Sequence, residues 1–261
     1  MTKIGIIGGT GFEASMFEGA KMLDVDTPYG KPSGQIISGK YKGVDVFFIP
    51  RHGPKHTINP TQVNNRANIH AMKELGVTHL LAPTACGSLR EEMAPGNFVL
   101  ADQFIDKTTK RDQTFYDKGV VAHISMADPF CEKLRKLLSE TAEELKVPHH
   151  KKGCLLSIEG PRFSSRAESH MFRSWGCDVL NMSTVPEATL AREKGMCYQP
   201  IAMVVDYDCW RKEEKPVTQE EVSATAAANA ENVKKLVLAV IPKIKDDNCG
   251  CRTAIDVSII K

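Results

Sequence analysis

Two carboxylates stand two residues apart in Ala202-Met203-Val204-Val205-Asp206-Tyr207-Asp208-Cys209-Trp210. They end an apolar run, Ile201 to Val205, that lacks period-two alternation and reads as a buried strand. In open α/β sheets, ligands collect beyond the carboxyl ends of strands. Asp206 and Asp208 therefore offer acceptors, or one shared proton, to a small polar ligand. A plain turn competes with this reading, because Asp after a strand commonly bonds its own backbone.

Other strand ends offer the opposite chemistry. Gly8-Gly9-Thr10-Gly11 follows Ile4-Gly5-Ile6-Ile7. It is not the dinucleotide pattern G-x-G-x-x-G, yet it can bring backbone N–H groups and the Thr10 hydroxyl to an anion. Arg51-His52 sets a permanent cation beside a titratable group, and Arg is the better planar partner for phosphate. Thr84 and Ser183 each end an apolar strand with a hydroxyl. Together these residues form a cup of donors around one fixed charge, with no acid expected nearby. Phe163, after the stiff Gly160-Pro161, can cover a planar ring or fill a core. Cup, shelf and carboxylates together suggest phosphate plus a nitrogen heterocycle.

To share a rim, these loops need a mainly parallel sheet. Strands are expected at 3–8, 34–39, 44–49, 78–83, 97–105, 154–158, 179–180 and 201–206, with 34–49 a hairpin. Helices are expected from Asn59-Pro60 to Leu75, over 129–147, 165–175 and 186–194, and over 218–244, where Pro242 should end or kink the last. Residues 106–117 read as a surface excursion, and 84–88 as a polar loop. Alternating strands and helices imply one α/β domain over 1–261, with a mixed, mainly parallel central sheet flanked by helices on both faces. Residues 246–261 form a tail carrying Cys249-Gly250-Cys251.

Composition narrows the partners. The chain has 261 residues and a formal charge of +2, with no basic stripe, so nucleic-acid binding by bulk electrostatics is not expected. No run of 18 apolar residues exists, so no membrane span is expected. The N-terminus enters a strand directly, which leaves no room for a leader, so the expected compartment is the cytoplasm. Of eight cysteines, Cys86, Cys154, Cys177 and Cys197 read as small buried hydrophobes. The Cys-Gly-Cys pair has no matching C-x2-C, so no metal is expected there, and a disulfide is the favoured role.

The motifs resemble a known family. Ile4–Gly11, Arg51-His52-Gly53, Thr84–Arg90, Glu159-Gly160-Pro161-Arg162-Phe163, Asn181–Glu187 and Asp206–Trp210 occur in the order found in methylthioadenosine phosphorylases of the trimeric purine nucleoside phosphorylase family. The resemblance runs from Ile4 to about Ile241. It implies that Thr10, Arg51, His52, Thr84, Ala85 and Ser183 hold phosphate, Ser183 standing where animal enzymes have Thr. It places Met182 under the ribose, Phe163 on the purine, His56 near ribose and phosphate, and His123 in a neighbouring subunit's site. Asp206 would serve N7 as general acid, and Asp208 the 6-amino group. The 6-oxopurine relatives carry Glu at the place of Ser164 and Asn at that of Asp206, so adenine is expected. Gln219 and Val222, on the last helix, are further specificity positions where an apolar lining suits a methylthio group. The implied reaction is phosphorolysis of 5′-methylthioadenosine by a homotrimer or dimer of trimers, with phosphate as co-substrate and no cofactor. A 6-oxopurine or methylthioinosine phosphorylase is the alternative, and a non-catalytic phosphate or nucleotide sensor a third reading.

Overall fold

The computed structural model describes residues 2–9, 11–211, 219–245 and 249–260, and of 219–228 only the backbone. Thr10 and the side chains of Gln219 and Val222 lie outside the described residues.

Among the described residues, one sheet of eleven strands organises the chain. Strand β1 (Lys3–Gly8) carries the first apolar run, and β2 (Glu18–Leu23) lies at the edge beside β3 (Ile36–Tyr41). Sequence patterning misses β2, whose charged, half-exposed residues suit an edge strand. Strands β3 and β4 (Val44–Pro50) form the expected hairpin. Its turn is Lys42-Gly43, both with positive φ, the conformation that matches strand twist. Strand β4 pairs in parallel with β1, which pairs in parallel with β5 (His79–Ser88).

The apolar runs lack alternation because both faces of the sheet are covered. Ile4 and Ile6 enter one core, Ile7 the other. The first core takes Leu134 and Leu138 from α2 (Glu132–Glu144) and Leu236 and Val240 from α5 (Gln219–Val240). The second takes Ile69 and Met72 from α1 (Asn65–Glu74) and Ala188 and Leu190 from α4 (Thr184–Glu193), and a smaller third core takes Phe172 from α3 (Arg166–Ser174). Each fully buried Ile or Leu contributes about 1.5–3 kcal/mol. Helix α5 stops before the turn Ile241–Lys243, as Pro242 requires. No helix among the described residues is long and apolar enough to cross a membrane.

Four expectations change. The helix expected from Pro60 is a short turn, Pro60–Gln62, followed by α1. Two asparagines cap in succession: the Asn59 side chain accepts from Gln62 N–H, and that of Asn64 from Ala67 N–H. The strand expected over 97–105 is two: β6 (Phe98–Val99) pairs with β8 (His149–His150), whereas β7 (Gln103–Lys107) pairs with β9 (Cys154–Ile158). Residues 84–88 are not a loop but the end of β5. There they pair with β10 (Val179–Asn181) on one side and β11 (Cys197–Asp206) on the other. The fourth concerns the tail. The partner pair missing from the Cys-Gly-Cys sequence is supplied by Cys131 and Cys197. The four sulfur atoms lie within 4.8 Å of one another. Cys197 is fully buried in the core, as expected.

Candidate active site

Arg51 follows β4 and is 3 % exposed. Its backbone N–H donates to Gly8 O at 2.8 Å, joining it to the loop after β1. Its guanidinium donates through Nε to Glu187 Oε1 at 2.5 Å and through Nη2 to Glu187 Oε2 at 3.2 Å. Nη1 reaches Pro83 O at 3.0 Å, and Nη2 also reaches Ile7 O at 2.8 Å. Four of its five N–H donors are thus engaged among the described residues. The expectation of no nearby acid fails: Glu187 is fully buried and also accepts from Tyr198 Oη at 2.9 Å. Burial works against the Arg51 charge, but Glu187 outweighs it and keeps the group protonated. Sequence reading passed over Glu187. Its signal was a single acid in the apolar stretch Val185-Pro186-Glu187-Ala188.

His52 is held neutral. Burial first, and the Arg51 charge second, lower it to about 4. Nδ1 lies 2.9 Å from Ile58 O. A carbonyl can only accept, so Nδ1 carries the proton and Nε2 presents a lone pair. His56 stacks on His52, with ring centroids 4.6 Å apart.

Thr84 and Ser183 meet, with their hydroxyl oxygens 2.7 Å apart, and both are buried. Asn181 positions them. Its Nδ2 donates to Thr84 Oγ1 at 3.2 Å and to Thr184 Oγ1 at 2.8 Å, while its Oδ1 accepts from Ser183 N–H at 3.3 Å. Ser183 is also the N-cap residue of α4, without a side-chain cap bond. The backbone is extended at Val185 (φ −109°, ψ 129°), which interrupts α4, so Ser183 offers an anion its hydroxyl and no helix terminus. Ala85 is half-buried beside Thr84 in β5.

Three residues along β5 from Thr84 stands Gly87, opposite Asp206 across a bulge in β11 after Val204. A Cβ on Gly87 would lie 2.9 Å from Asp206 Oδ1 and 3.3 Å from Asp208 Cβ, so the missing side chain makes room for both acids. Asp208 N–H donates to Asp206 Oδ1 at 2.7 Å. Asp208 is 5 % exposed, and burial raises its carboxyl above the usual range. Among the described residues four non-glycines have positive φ, and His56 and Asp208 are two of them. Such backbone costs on the order of 1–3 kcal/mol where the surroundings enforce it.

Phe163 is 38 % exposed on the loop after β9. Next to it, Ser164 Oγ is buried with no hydrogen-bond partner among the described residues. A cavity of about 200 Å³ opens there between Ile158, Gly160, Ser164, Glu168 and Phe172. Met182 packs against Gly160, where a Cβ would lie 2.5 Å from its sulfur. The excursion over 106–117 is tied to this loop. Arg111 donates to Glu159 Oε1 at 3.1 Å, Glu159 O at 2.7 Å and Val185 O at 2.7 Å. Burial pushes Glu159 upward, but the backbone N–H groups of Thr109 and Lys110 and the Arg111 guanidinium bring it down to about 2. Sequence patterning missed Arg111 and Asn181 as positioning groups. His123 stands apart: it is exposed, and makes no hydrogen bond, ion pair or ring contact with these residues among those described.

Comparison with known proteins agrees with this geometry. Residues 3–242 match the model of the phosphorylase superfamily. The S-methyl-5′-thioadenosine phosphorylase of Xenopus tropicalis is 54% identical, covering 93% of this chain and 89% of its own. That of Pyrococcus furiosus is 54% identical over 96% of each chain. Among solved structures, methylthioadenosine phosphorylase from Schistosoma mansoni in complex with adenine has a TM-score of 0.92 at 38% identity, covering 98% of this chain and 96% of that one. A mutant of the adenosine/methylthioadenosine phosphorylase of the same organism, solved in complex with methylthioadenosine, has a TM-score of 0.91 at 38% identity, covering 98% and 95%. Motif order, sheet topology and likeness over almost the whole length agree: the chain belongs to the phosphorylase superfamily and, within it, to the family of the S-methyl-5′-thioadenosine phosphorylases.

Proposed function

We propose that this chain cleaves the N-glycosidic bond of 5′-methylthioadenosine with inorganic phosphate, giving adenine and 5-methylthioribose 1-phosphate. One observation carries the proposal. Thr84, paired with Ser183, and Gly87, packed on Asp206 and Asp208, lie on the same strand. They stand about 10 Å apart along β5 and, being three apart, face opposite sides of it, so one nucleoside and one phosphate meet both by lying across the end of the strand.

Arg51, Thr84, Ala85 and Ser183, together with Thr10, then hold the phosphate, and His52 Nε2, which carries no proton, accepts from a phosphate O–H. Met182 lies under the ribose, His56 beside it, and Phe163 on the purine. A phosphate oxygen attacks C1′ while the C1′–N9 electron pair leaves with the base, through an oxocarbenium-like transition state. Fixed donors hold the nucleophile in line, which lowers the entropic part of the barrier. Adenine leaves more easily when N7 receives a proton. The Asp208 N–H fixes Asp206 Oδ1, leaving Oδ2 to carry a proton to N7, and burial of Asp208 favours retaining that proton in the pair. The pair thus keeps a proton within reach of N7, with Asp206 placed there and Asp208 at the 6-amino edge. Ser164, Gln219 and Val222 set the choice of base and 5′ group.

His123 acts in a neighbouring subunit, so the working form is a homo-oligomer, a trimer or dimer of trimers. Support comes from Val120, Val121, Val257, Ile259 and Ile260, all exposed around it. The 261 residues act as a single domain in the cytoplasm, with phosphate as co-substrate and no cofactor in catalysis.

The test is adenine release from methylthioadenosine, with and without phosphate, in the wild type and in Asp206→Asn. Strict phosphate dependence and a loss of about a hundredfold or more in the variant are expected. Equal turnover without phosphate would make the protein a hydrolase. Faster turnover of methylthioinosine would shift it to the 6-oxopurine class.

A further inference from the structure

The tail rejoins the body of the molecule through four cysteines. Cys131 immediately precedes α2, Cys197 opens β11, and Cys249 and Cys251 come from the tail. All four sulfurs lie within 4.8 Å of one another, and those of Cys131 and Cys249 are 3.6 Å apart. Four sulfurs bound about 2.3 Å from one tetrahedral ion stand about 3.8 Å from each other. The Cys131–Cys249 pair has that spacing, and every other pair lies no more than about 1 Å beyond it. Cys131, Cys197 and Cys251 are buried, and Cys249 is half-buried.

The backbone under the cluster is fixed. Cys131 N–H donates to Tyr198 O at 3.0 Å, Cys197 N–H to Thr78 O at 3.0 Å, and Arg252 N–H to Cys249 O at 3.0 Å. Gly195, two residues before Cys197, has φ +64°, and a Cβ there would meet Arg252 O at 2.8 Å. The core therefore accepts the tail backbone only because this residue has no side chain. Hydrophobic packing explains one buried thiol well. It does not explain why residues from a helix start, a strand start and a tail bring four sulfurs to one point.

We propose that Cys131, Cys197, Cys249 and Cys251 form a structural tetrathiolate site for one Zn²⁺. Sulfur ligands select a soft or borderline cation over magnesium or calcium. With four protein ligands no position is left for substrate, so the ion braces the fold and takes no part in catalysis. Binding releases the thiol protons to solvent and needs no oxidant. The brace reaches further along the chain. Beyond the cluster the tail pairs with the segment that carries His123: His123 N–H donates to Ser258 O at 2.8 Å, and Ile260 N–H to Val121 O at 3.0 Å. Zinc would thus hold this segment through the tail. The site is independent of the proposed activity.

The experiment uses the whole chain, produced in zinc-supplemented medium and purified without chelator. Metal analysis should give about one zinc per chain, released by an organomercurial thiol reagent. In a separate sample free of mercurial, alkylation in denaturant with chelator and without reductant should modify all eight cysteines. Reduced, metal-free protein should regain its melting temperature on addition of Zn²⁺ alone. Cys249→Ser/Cys251→Ser should neither retain zinc nor respond to it. Should that variant fail to fold, the wild-type metal content and thiol count still decide. Disulfides mapped among these four residues would overturn the proposal. So would reduced protein that cannot take Zn²⁺ from a chromophoric chelator.

Discussion

The guanidinium of Arg51 and the carboxylate of Glu187 face each other in the interior, bonded at 2.5 and 3.2 Å and separated by 136 positions in sequence. Removing one member of a buried pair strands the other charge, at a cost of about 3–5 kcal/mol. Glu187→Gln should lose stability on that scale in urea unfolding. The double change Arg51→Met/Glu187→Leu should recover much of it while losing phosphate-dependent activity. Added phosphate should raise the melting temperature of Glu187→Gln more than that of the wild type, because it replaces the missing anion. An equal or smaller rise would mean that Arg51 does not face the phosphate site.

His52 titrates near 4 in the folded protein, against about 6.5 when unfolded. Between those values the unfolded chain binds the extra proton, so stability rises with pH. Conversely, it is lost as pH falls from about 6.5 toward 4, by about 2–3 kcal/mol in phosphate-free buffer. Urea titrations at pH 6.5 and 4.5 should show a shallower drop in His52→Asn than in the wild type. Identical slopes would remove His52 from the account.

Gly87→Ala puts a methyl carbon 2.9 Å from Asp206 Oδ1. Both acids must then shift, and a displacement near 1 Å can cost about a hundredfold in rate. Steady-state assays should show kcat/KM for methylthioadenosine falling at least tenfold. The melting temperature should change far less than in Glu187→Gln. Wild-type kinetics would show that Asp206 and Asp208 have no strict placement.

Arg111→Ala removes the cation that fastens residues 106–117 to Glu159 and Val185. Losing charge-assisted hydrogen bonds of this kind costs about 2 kcal/mol. Limited proteolysis should open the 106–117 segment in the variant and spare it in the wild type. KM for the nucleoside should rise more than kcat falls, since the Glu159 loop also carries Phe163.

The amino-acid sequence by itself determined the α/β class, the hairpin over 34–49, the end of the last helix at Pro242, and the strand ends bearing Arg51, Ser183 and Asp206. These follow from periodicity, capping and turn chemistry, which act within a few residues. Only the tertiary structure decided that Glu187 neutralises Arg51, that Thr84 lies inside a strand, and that Arg111 anchors an apparent surface loop. It also decided that Cys249 and Cys251 find partners in Cys131 and Cys197. Each of these pairings joins residues far apart in the chain. Their energy comes from burial and charge compensation, which exist only once the sheet has brought its strands side by side.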